Sequence, residues 1–160
     1  MLSVRLICCG RLREKHYADA MAEYTKRLGP LCRFEVCELP EVRLPEDPGR
    51  PAIDAALEKE AAAVEKQIPP GAFVCAMCIE GEQLSSEELS RRIEALAGAG
   101  KSRLCFLIGS SFGLAGRLKK RADLCLSMSR MTFPHHLARV MLTEQIYRAF
   151  KITEGSRYHK

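Results

Sequence analysis

No stretch of the 160-residue sequence approaches the roughly 18 consecutive apolar residues that a membrane-spanning helix requires. The opening MLSVRLICCG holds an arginine within a short apolar run and no small-residue cleavage site, so it reads as a strand and not as an export signal. A cytoplasmic protein with no membrane association is expected. Metal-site spacing is also missing. Cys75 and Cys78 form the one CxxC, no second CxxC or HxxxH completes it, and residues three apart on a strand point to opposite faces. The eight cysteines fall mostly within apolar runs, where a reduced thiol behaves as a small hydrophobe, so no metal is expected.

Several enzyme signatures are absent as well. GAGKS at 98–102 lacks the glycine that a phosphate loop needs five residues before Gly100; that residue is Ala95, and a helix precedes it where a strand should. IGSSFGLAG at 108–116 has Ser111 where the dinucleotide fingerprint has its second glycine, which disfavours a nicotinamide-dependent oxidoreductase. There is no nucleophile elbow and no Ser-His-Asp order. No internal repeat or low-complexity segment is visible.

What is present is a soluble globular composition, 47% hydrophobic and 28% charged, in a chain long enough for one domain over 1–160 with a core of its own. Charge is uneven. Residues 1–116 carry 15 basic and 17 acidic side chains, whereas residues 117–160 carry 10 basic and 3 acidic, a net +7 that suits a polyanion.

Periodicity predicts strands over 2–9 and in CRFEVCEL, with a helix between them that carries Tyr17, Met21, Tyr24 and Leu28 and stops at Gly29-Pro30. Pro40, Pro45, Pro48 and Pro51 mark the one clear loop. A helix over 52–67 and a strand over Phe73–Ile79 follow. Ser85 and Glu88 form a capping box for the next helix, with Leu84 and Leu89 placed as its staple. RLCFLI at 103–108 reads as a strand buried on both faces. A short helix at 114–121, a strand at 124–127 and a long helix from Pro134 complete a β-α alternation, which predicts an α/β fold with an open, mostly parallel sheet.

That last helix poses a question. Leu137, Val140, Met141, Leu142, Ile146, Tyr147, Ala149 and Phe150 cover most of its circumference, whereas a surface helix should keep one polar face. The open-sheet rule puts ligands beyond the carboxyl ends of strands. Three loops qualify: Ile79–Gln83, Gly109–Gly116 and Met128–Phe133. His135 and His136 are adjacent, so they are expected to project from different sides of the helix start. SRYHK at 156–160 reads either as a frayed end or as a tyrosine flanked by cations, a common way to hold an unpaired base.

The stretch LSMSRMTFPHHLARVMLTEQIYRAFKITEGSRYHK, 126–160, closely resembles the C-terminal signature of the ribosomal RNA large subunit methyltransferase H family, small members of the SPOUT superfamily of S-adenosylmethionine-dependent RNA methyltransferases. RLICCGRLREKHY, EYTKRLGP, IEGEQLSSEEL and FLIGSSFGL resemble its other motifs, so the likeness spans nearly the whole chain. The resemblance implies a homodimer and a C-terminal trefoil knot within about 104–155, which nothing in the pattern of residues alone indicates. It implies S-adenosylmethionine as cofactor, at Met77, Gly109, Met128, Ser129, Arg130, Met131, Thr132 and Phe133. It implies methylation of N3 of a pseudouridine in large-subunit ribosomal RNA of the assembled ribosome. The chain departs from the family at Met77-Cys78, where Leu-Asp or Leu-Glu is usual, at Gly109-Ser110, where Gly-Gly is usual, and at TFPHH in place of TFPHQ. Serine at 110 is expected to narrow the cofactor loop.

Methyl transfer needs alignment of donor and acceptor and removal of the imide proton. His135, Arg139, Tyr158 and His159 are the candidate catalytic residues. Arg139 and Arg157 are expected to hold phosphate or the developing anion, and Arg157 and Lys160 to contact RNA. The tail of one subunit is expected to cover its partner's cofactor pocket. A knotted RNA-binding protein without catalysis is the rival reading.

Overall fold

The computed structural model describes residues 1–160. The elements are β1 (Ser3–Cys9), α1 (Lys15–Leu28), β2 (Arg33–Leu39), α2 (Arg50–Glu65), β3 (Phe73–Gln83), α3 (Ser86–Gly98), β4 (Arg103–Ile108), α4 (Gly116–Arg121), β5 (Leu124–Ser127) and α5 (His135–Thr153). The β-α alternation is the expected one. The five strands form one sheet in the order β2-β1-β4-β3-β5, and every pairing is parallel.

Strand alternation divides the core in two. Val4, Leu6 and Cys8 of β1 with Leu104, Phe106 and Ile108 of β4 face α1, α3 and α5. Ile7 and Cys9 with Cys105 and Leu107 face α2 and α4. Over these residues β1 and β4 are therefore apolar on both sides, as RLCFLI indicated for β4. The capping box forms as expected: Glu88 N–H donates to Ser85 Oγ at 3.1 Å and Ser85 N–H to the Glu88 carboxylate at 2.7 Å. No helix is long and apolar enough to cross a membrane.

One expectation is corrected. Residues 79–83 are not a loop but the continuation of β3, which pairs with β5 again after a register shift between Met77 and Glu82. Gly81 makes this possible. A Cβ there would sit 2.6 Å from the Cys125 carbonyl oxygen, so only glycine lets the two backbones approach.

The helix α5 answers its own question largely within one chain. Leu142, Ile146 and Ala149 are in the core, Val140, Tyr147 and Phe150 pack against it, and α1 and α3 flank it. Two hydroxyls bind it to α3: Ser90 donates to the Ala149 carbonyl at 2.7 Å and Ser86 to Gln145 at 2.6 Å. No residue from His135 to Ile152 is fully exposed.

Candidate active site

The carboxyl ends of β3, β4 and β5 share an unusual surface. Apart from Met1, the large apolar side chains left exposed in the chain are Ile79, Phe112 and Met131, at 46%, 46% and 72%. Phe112 and Met131 lie just beyond the ends of β4 and β5, and Ile79 lies in β3 where its pairing with β5 shifts register. Apolar groups grouped in this way on a strand-end surface mark a ligand contact more than a solvated loop.

Each segment has a local reason for its shape. After β4, Gly113 N–H donates to the Ser110 carbonyl at 2.8 Å and closes a turn so tight that a Cβ on Gly109 would lie 2.1 Å from the Gly113 oxygen. Gly109 is thus required by the turn itself. After β5, Ser127 Oγ donates to the Ser129 carbonyl at 2.9 Å and Met131 N–H donates to Ser129 Oγ at 3.1 Å. This leaves Arg130, Met131 and Thr132 exposed and Phe133 half-buried. Met77 and Met128 form part of the floor of a cleft of about 530 Å³ whose rim holds Tyr24, Ser85, Ser86, Glu144 and Gln145. Gly109 and residues 129–133 lie outside that cleft.

Ser110 does not crowd its loop. Its hydroxyl turns inward and donates to the buried Glu60 carboxylate at 2.8 Å, while the other Glu60 oxygen accepts from Val42 N–H at 3.0 Å. Sequence reading missed Glu60, although Leu57, Ala61 and Val64 at helical spacing already put position 60 on the buried face of α2. Glu38 and Glu41 were missed as well. Neither has a periodic signal, because both act through contacts distant in sequence.

His135, His136 and Arg139 gather at the ends of β1 and β2. The two imidazole centroids are 4.2 Å apart, and both rings turn towards Gly10, so adjacency does not send them to opposite sides. Glu14 and Glu41 flank them and draw the rings together: His136 Nδ1 lies 3.1 Å from Glu14 and His135 Nε2 lies 3.9 Å from Glu41. Desolvation, helped by His136 and Arg139, holds His135 below its ordinary range, so its ring is neutral at pH 7. Arg139 is 1% exposed and already engaged, donating to Glu38 and, at 2.8 Å, to the Gly10 carbonyl. Its guanidinium is committed inside the chain rather than open to a phosphate.

The tail is folded, not frayed. Tyr158 donates to Glu144 at 3.0 Å, packs edge-on against Tyr147 at 4.9 Å and lies under the Arg148 guanidinium at 4.7 Å. His159 Nε2 sits 2.7 Å from Glu87 on α3. Burial, with the Glu144 bond adding to it, pushes the Tyr158 hydroxyl up to about 12, so it is no phenolate at neutral pH. Arg148 pairs with Glu144 at 2.6 Å, the i,i+4 bridge its spacing predicts. The structure therefore brings Tyr158 and His159 together near the cleft rim, and His135 and Arg139 together near Gly10, on a different part of α5.

Half of the C-terminal cations are neutralised internally: Arg117, Lys119, Arg139, Arg148 and Lys151 each pair with a carboxylate. Lys120, Arg121, Arg130, Arg157 and Lys160 have no acidic partner, which leaves them available to a polyanion. All eight cysteines are free thiols, and burial raises those of Cys8, Cys9, Cys75, Cys78 and Cys105, so none of these five is poised as a nucleophile. No group of three or more His, Cys, Asp or Glu side chains is arranged to hold a metal ion.

Comparison with known proteins gives concordant results. The family described as predicted SPOUT methyltransferase matches residues 2–159. A protein of Streptococcus pyogenes named ribosomal RNA large subunit methyltransferase H is 45% identical over 99% of this chain and 100% of its own length. Proteins of the same name from Moorella thermoacetica and Desulforamulus reducens are 44% and 42% identical over the full length of both partners. Among solved structures, a probable methyltransferase from Bordetella pertussis superposes with a TM-score of 0.59 at 14% identity, over 93% of this chain and 96% of that one. A probable methylase family protein from Haemophilus influenzae gives 0.57 at 13% identity, over 100% and 72%. At such identities the two structures speak for the fold alone.

Proposed function

Because this chain belongs to the ribosomal RNA large subunit methyltransferase H family of SPOUT methyltransferases, we propose that it transfers a methyl group from S-adenosylmethionine to N3 of a pseudouridine in large-subunit ribosomal RNA, working as a homodimer on the assembled ribosome. The observation that carries this reading is the exposure of Phe112 and Met131 beyond the ends of β4 and β5, and of Ile79 at the register shift of β3 between them. Apolar side chains in that position suit the flat face of an adenine, and Met77 and Met128, which line the cleft, add soft apolar surface. Ser110 leaves the turn free, since its hydroxyl is spent on Glu60. The residues present therefore fit the cofactor, and Met77, Gly109 and Met128–Phe133 would hold it. When bound, S-adenosylmethionine supplies an electrophilic methyl group on a sulfonium.

The chain's own groups then have distinct tasks. The unpaired cations Arg130, Arg157 and Lys160 provide a positive field that binds phosphate and favours the anion left when the imide loses its proton. Tyr158 and His159 orient the base from the tail. Arg139 and His135 fix the start of α5 and, through it, the Met128–Phe133 loop.

The knot and the dimer belong to the same proposal. The chain leaves β5 at one edge of the sheet, runs through Met128–Phe133 into α5, and there Arg139 reaches Gly10 and Glu38 at the ends of β1 and β2, on the far side of β3 and β4. That path supports a threaded chain. The accessible surface is 9079 Å², against about 8,000 Å² anticipated for a monomer of this mass, which favours a covering partner. Leu137 and Met141 on the outer side of α5 are half-buried apolar groups suited to such a contact.

The test uses purified protein, methyl-labelled S-adenosylmethionine, and ribosomes from cells lacking this modification. Label mapped by digestion and mass spectrometry to N3 of one pseudouridine is the expected result. Cofactor binding without label on any large-subunit RNA would remove the substrate assignment. Absence of both would favour an RNA-binding protein without catalysis.

A further inference from the structure

The chain's unpartnered buried nitrogens collect in one place. His135 Nε2, His136 Nε2 and Arg139 Nε are its only buried side-chain nitrogen or oxygen atoms without a hydrogen-bond partner. They surround Gly10: a Cβ built there would lie 3.5 and 3.6 Å from the two imidazole nitrogens, and Arg139 donates to the Gly10 carbonyl. The same Cβ would lie 3.4 Å from Glu41 Oε2. Glu41 belongs to the proline-rich segment between β2 and α2, outside all three strand-end loops.

Its carboxylate reaches two of those loops at once. Glu41 Oε1 accepts from the Ser111 N–H at 3.3 Å and from the Ser111 hydroxyl at 3.2 Å, in the turn after β4. Glu41 Oε2 faces His135 Nε2 at 3.9 Å, at the residue where α5 takes over from the loop after β5. The second distance is too long for a hydrogen bond, and with the ring neutral it is a packing contact. Glu41 is itself held in place. Val42 N–H, next in sequence, donates to buried Glu60, which also binds Ser110. Pro40 on its other side restricts the backbone.

We propose that Glu41 is a positioning residue for methyl transfer: it sets the spacing between the Gly109–Gly113 turn and the Met128–Phe133 loop. The proposal rests on the methyltransferase reading above. Strand-end loops carry backbone freedom that must be lost when they close on a ligand. A carboxylate that accepts two hydrogen bonds from one loop and packs against the start of the next removes part of that freedom in advance, so less is lost on binding. Glu41 touches no reacting atom, and its effect falls on cofactor affinity before turnover.

The experiment titrates S-adenosylmethionine into wild-type protein and into Glu41→Ala, Glu41→Gln, Ser111→Ala and the Glu41→Ala/Ser111→Ala pair, with Tm and methylation of ribosomes measured alongside. Glu41→Ala is expected to weaken cofactor binding by roughly ten-fold, the size of a lost charge-assisted contact to a loop. Its kcat at saturating cofactor should change by no more than about three-fold, and Tm should hold. Glu41→Gln, which keeps the acceptor for Ser111, should recover most of the loss. The double variant should match Glu41→Ala alone, because Ser111 acts through Glu41. Unchanged affinity in Glu41→Ala, an additive double variant, or a loss that follows Tm would each overturn the proposal. Wild-type protein that binds no S-adenosylmethionine would overturn the methyltransferase reading and this proposal together, whereas normal wild-type binding unaffected by Glu41→Ala overturns this proposal alone.

Discussion

The Tyr158 hydroxyl donates to the Glu144 carboxylate at 3.0 Å, and Arg148 shares that carboxylate from the other side at 2.6 Å. One acidic group of α5 thus anchors the tail and a helix salt bridge together. The tail is ordered against its own helix, yet its cations Arg157 and Lys160 stay unpaired. Deleting residues 156–160 is expected to abolish methyl transfer while S-adenosylmethionine still binds and the fold persists. Tyr158→Phe separates anchoring from chemistry, since it removes one hydrogen bond worth about 1 kcal/mol and keeps the ring against Tyr147. Denaturation and a label-transfer assay on both variants check this. Full activity in the truncated protein would take the tail out of the mechanism.

Strong acid should loosen the tail's contact with α3. The His159 hydrogen bond, with backbone and Ser85 contacts, holds the Glu87 carboxyl down at about 2, against an ordinary 4.5. A folded value below the unfolded one means that the contribution is fully present above pH 4.5 and fades as pH falls towards about 2. Nuclear magnetic resonance should therefore find the Glu87 side-chain carboxyl signal constant through mild acid and shifting only near the lower limit. Glu87→Gln should loosen His159 from α3 while Tyr158 stays anchored on Glu144. Because the pair is exposed, salt should weaken it.

A second pH effect runs through His135. Burial keeps its folded value below 6.5, opposed by Glu41 and Glu14. The unfolded chain then binds a proton more readily than the folded one, so stability falls as pH drops below 6.5. His135→Gln should flatten that decline in denaturation curves collected between about pH 7 and pH 5, without altering the Glu87 titration. An equally steep decline in the variant would assign the effect elsewhere.

The architecture was legible because local signals agreed with the global fold. RLCFLI reads as doubly buried and lies centrally in the sheet; Ser85 and Glu88 read as a cap and form one. The same logic failed where long-range contacts decide. Residues 79–83 carry two glutamates and a glycine, which reads as a loop, but Gly81 lets β3 reach β5 again. His135 and His136 converge because Glu14 and Glu41, distant in sequence, flank them. Arg139 reads as a free cation in a basic segment, and its burial depends on Glu38 arriving from another strand. The Gly109–Gly116 and Met128–Phe133 loops were visible from glycine content and topology and Met77 only through the family resemblance, whereas the acids Glu41 and Glu60 were not visible.

Arg139 and Glu38 give the clearest stability prediction. Arg139 is 1% exposed, and its partner Glu38 is itself lowered by that pairing against the opposing effect of burial. Arg139→Ala would leave the Glu38 carboxylate and the Gly10 carbonyl without their donor and open a cavity, at about 3 kcal/mol. Arg139→Met fills the space but not the charge, and Arg139→Met with Glu38→Gln should regain part of the loss. Urea denaturation of the three variants reads this order directly. If Arg139→Ala were neutral, the ion pair would contribute nothing to holding α5 against β1 and β2.

Ser110→Gly restores the glycine usual in the family and separates two views of that position. If serine narrowed the cofactor turn, removing it would tighten S-adenosylmethionine binding. The geometry argues otherwise, because the hydroxyl points inward to Glu60 at 2.8 Å and Ser110 is 6% exposed. Removing it leaves a buried carboxylate with Val42 N–H as its one remaining donor. An acceptor stranded in this way costs about 1–2 kcal/mol. Glycine also adds freedom to the unfolded chain, which lowers stability further by up to about 1 kcal/mol. The expected outcome is a lower urea midpoint and a cofactor affinity equal to wild type or weaker. Tighter binding at equal stability would mean that the turn, not Glu60, feels the serine, and the inward-facing hydroxyl would then have no part in shaping the loop.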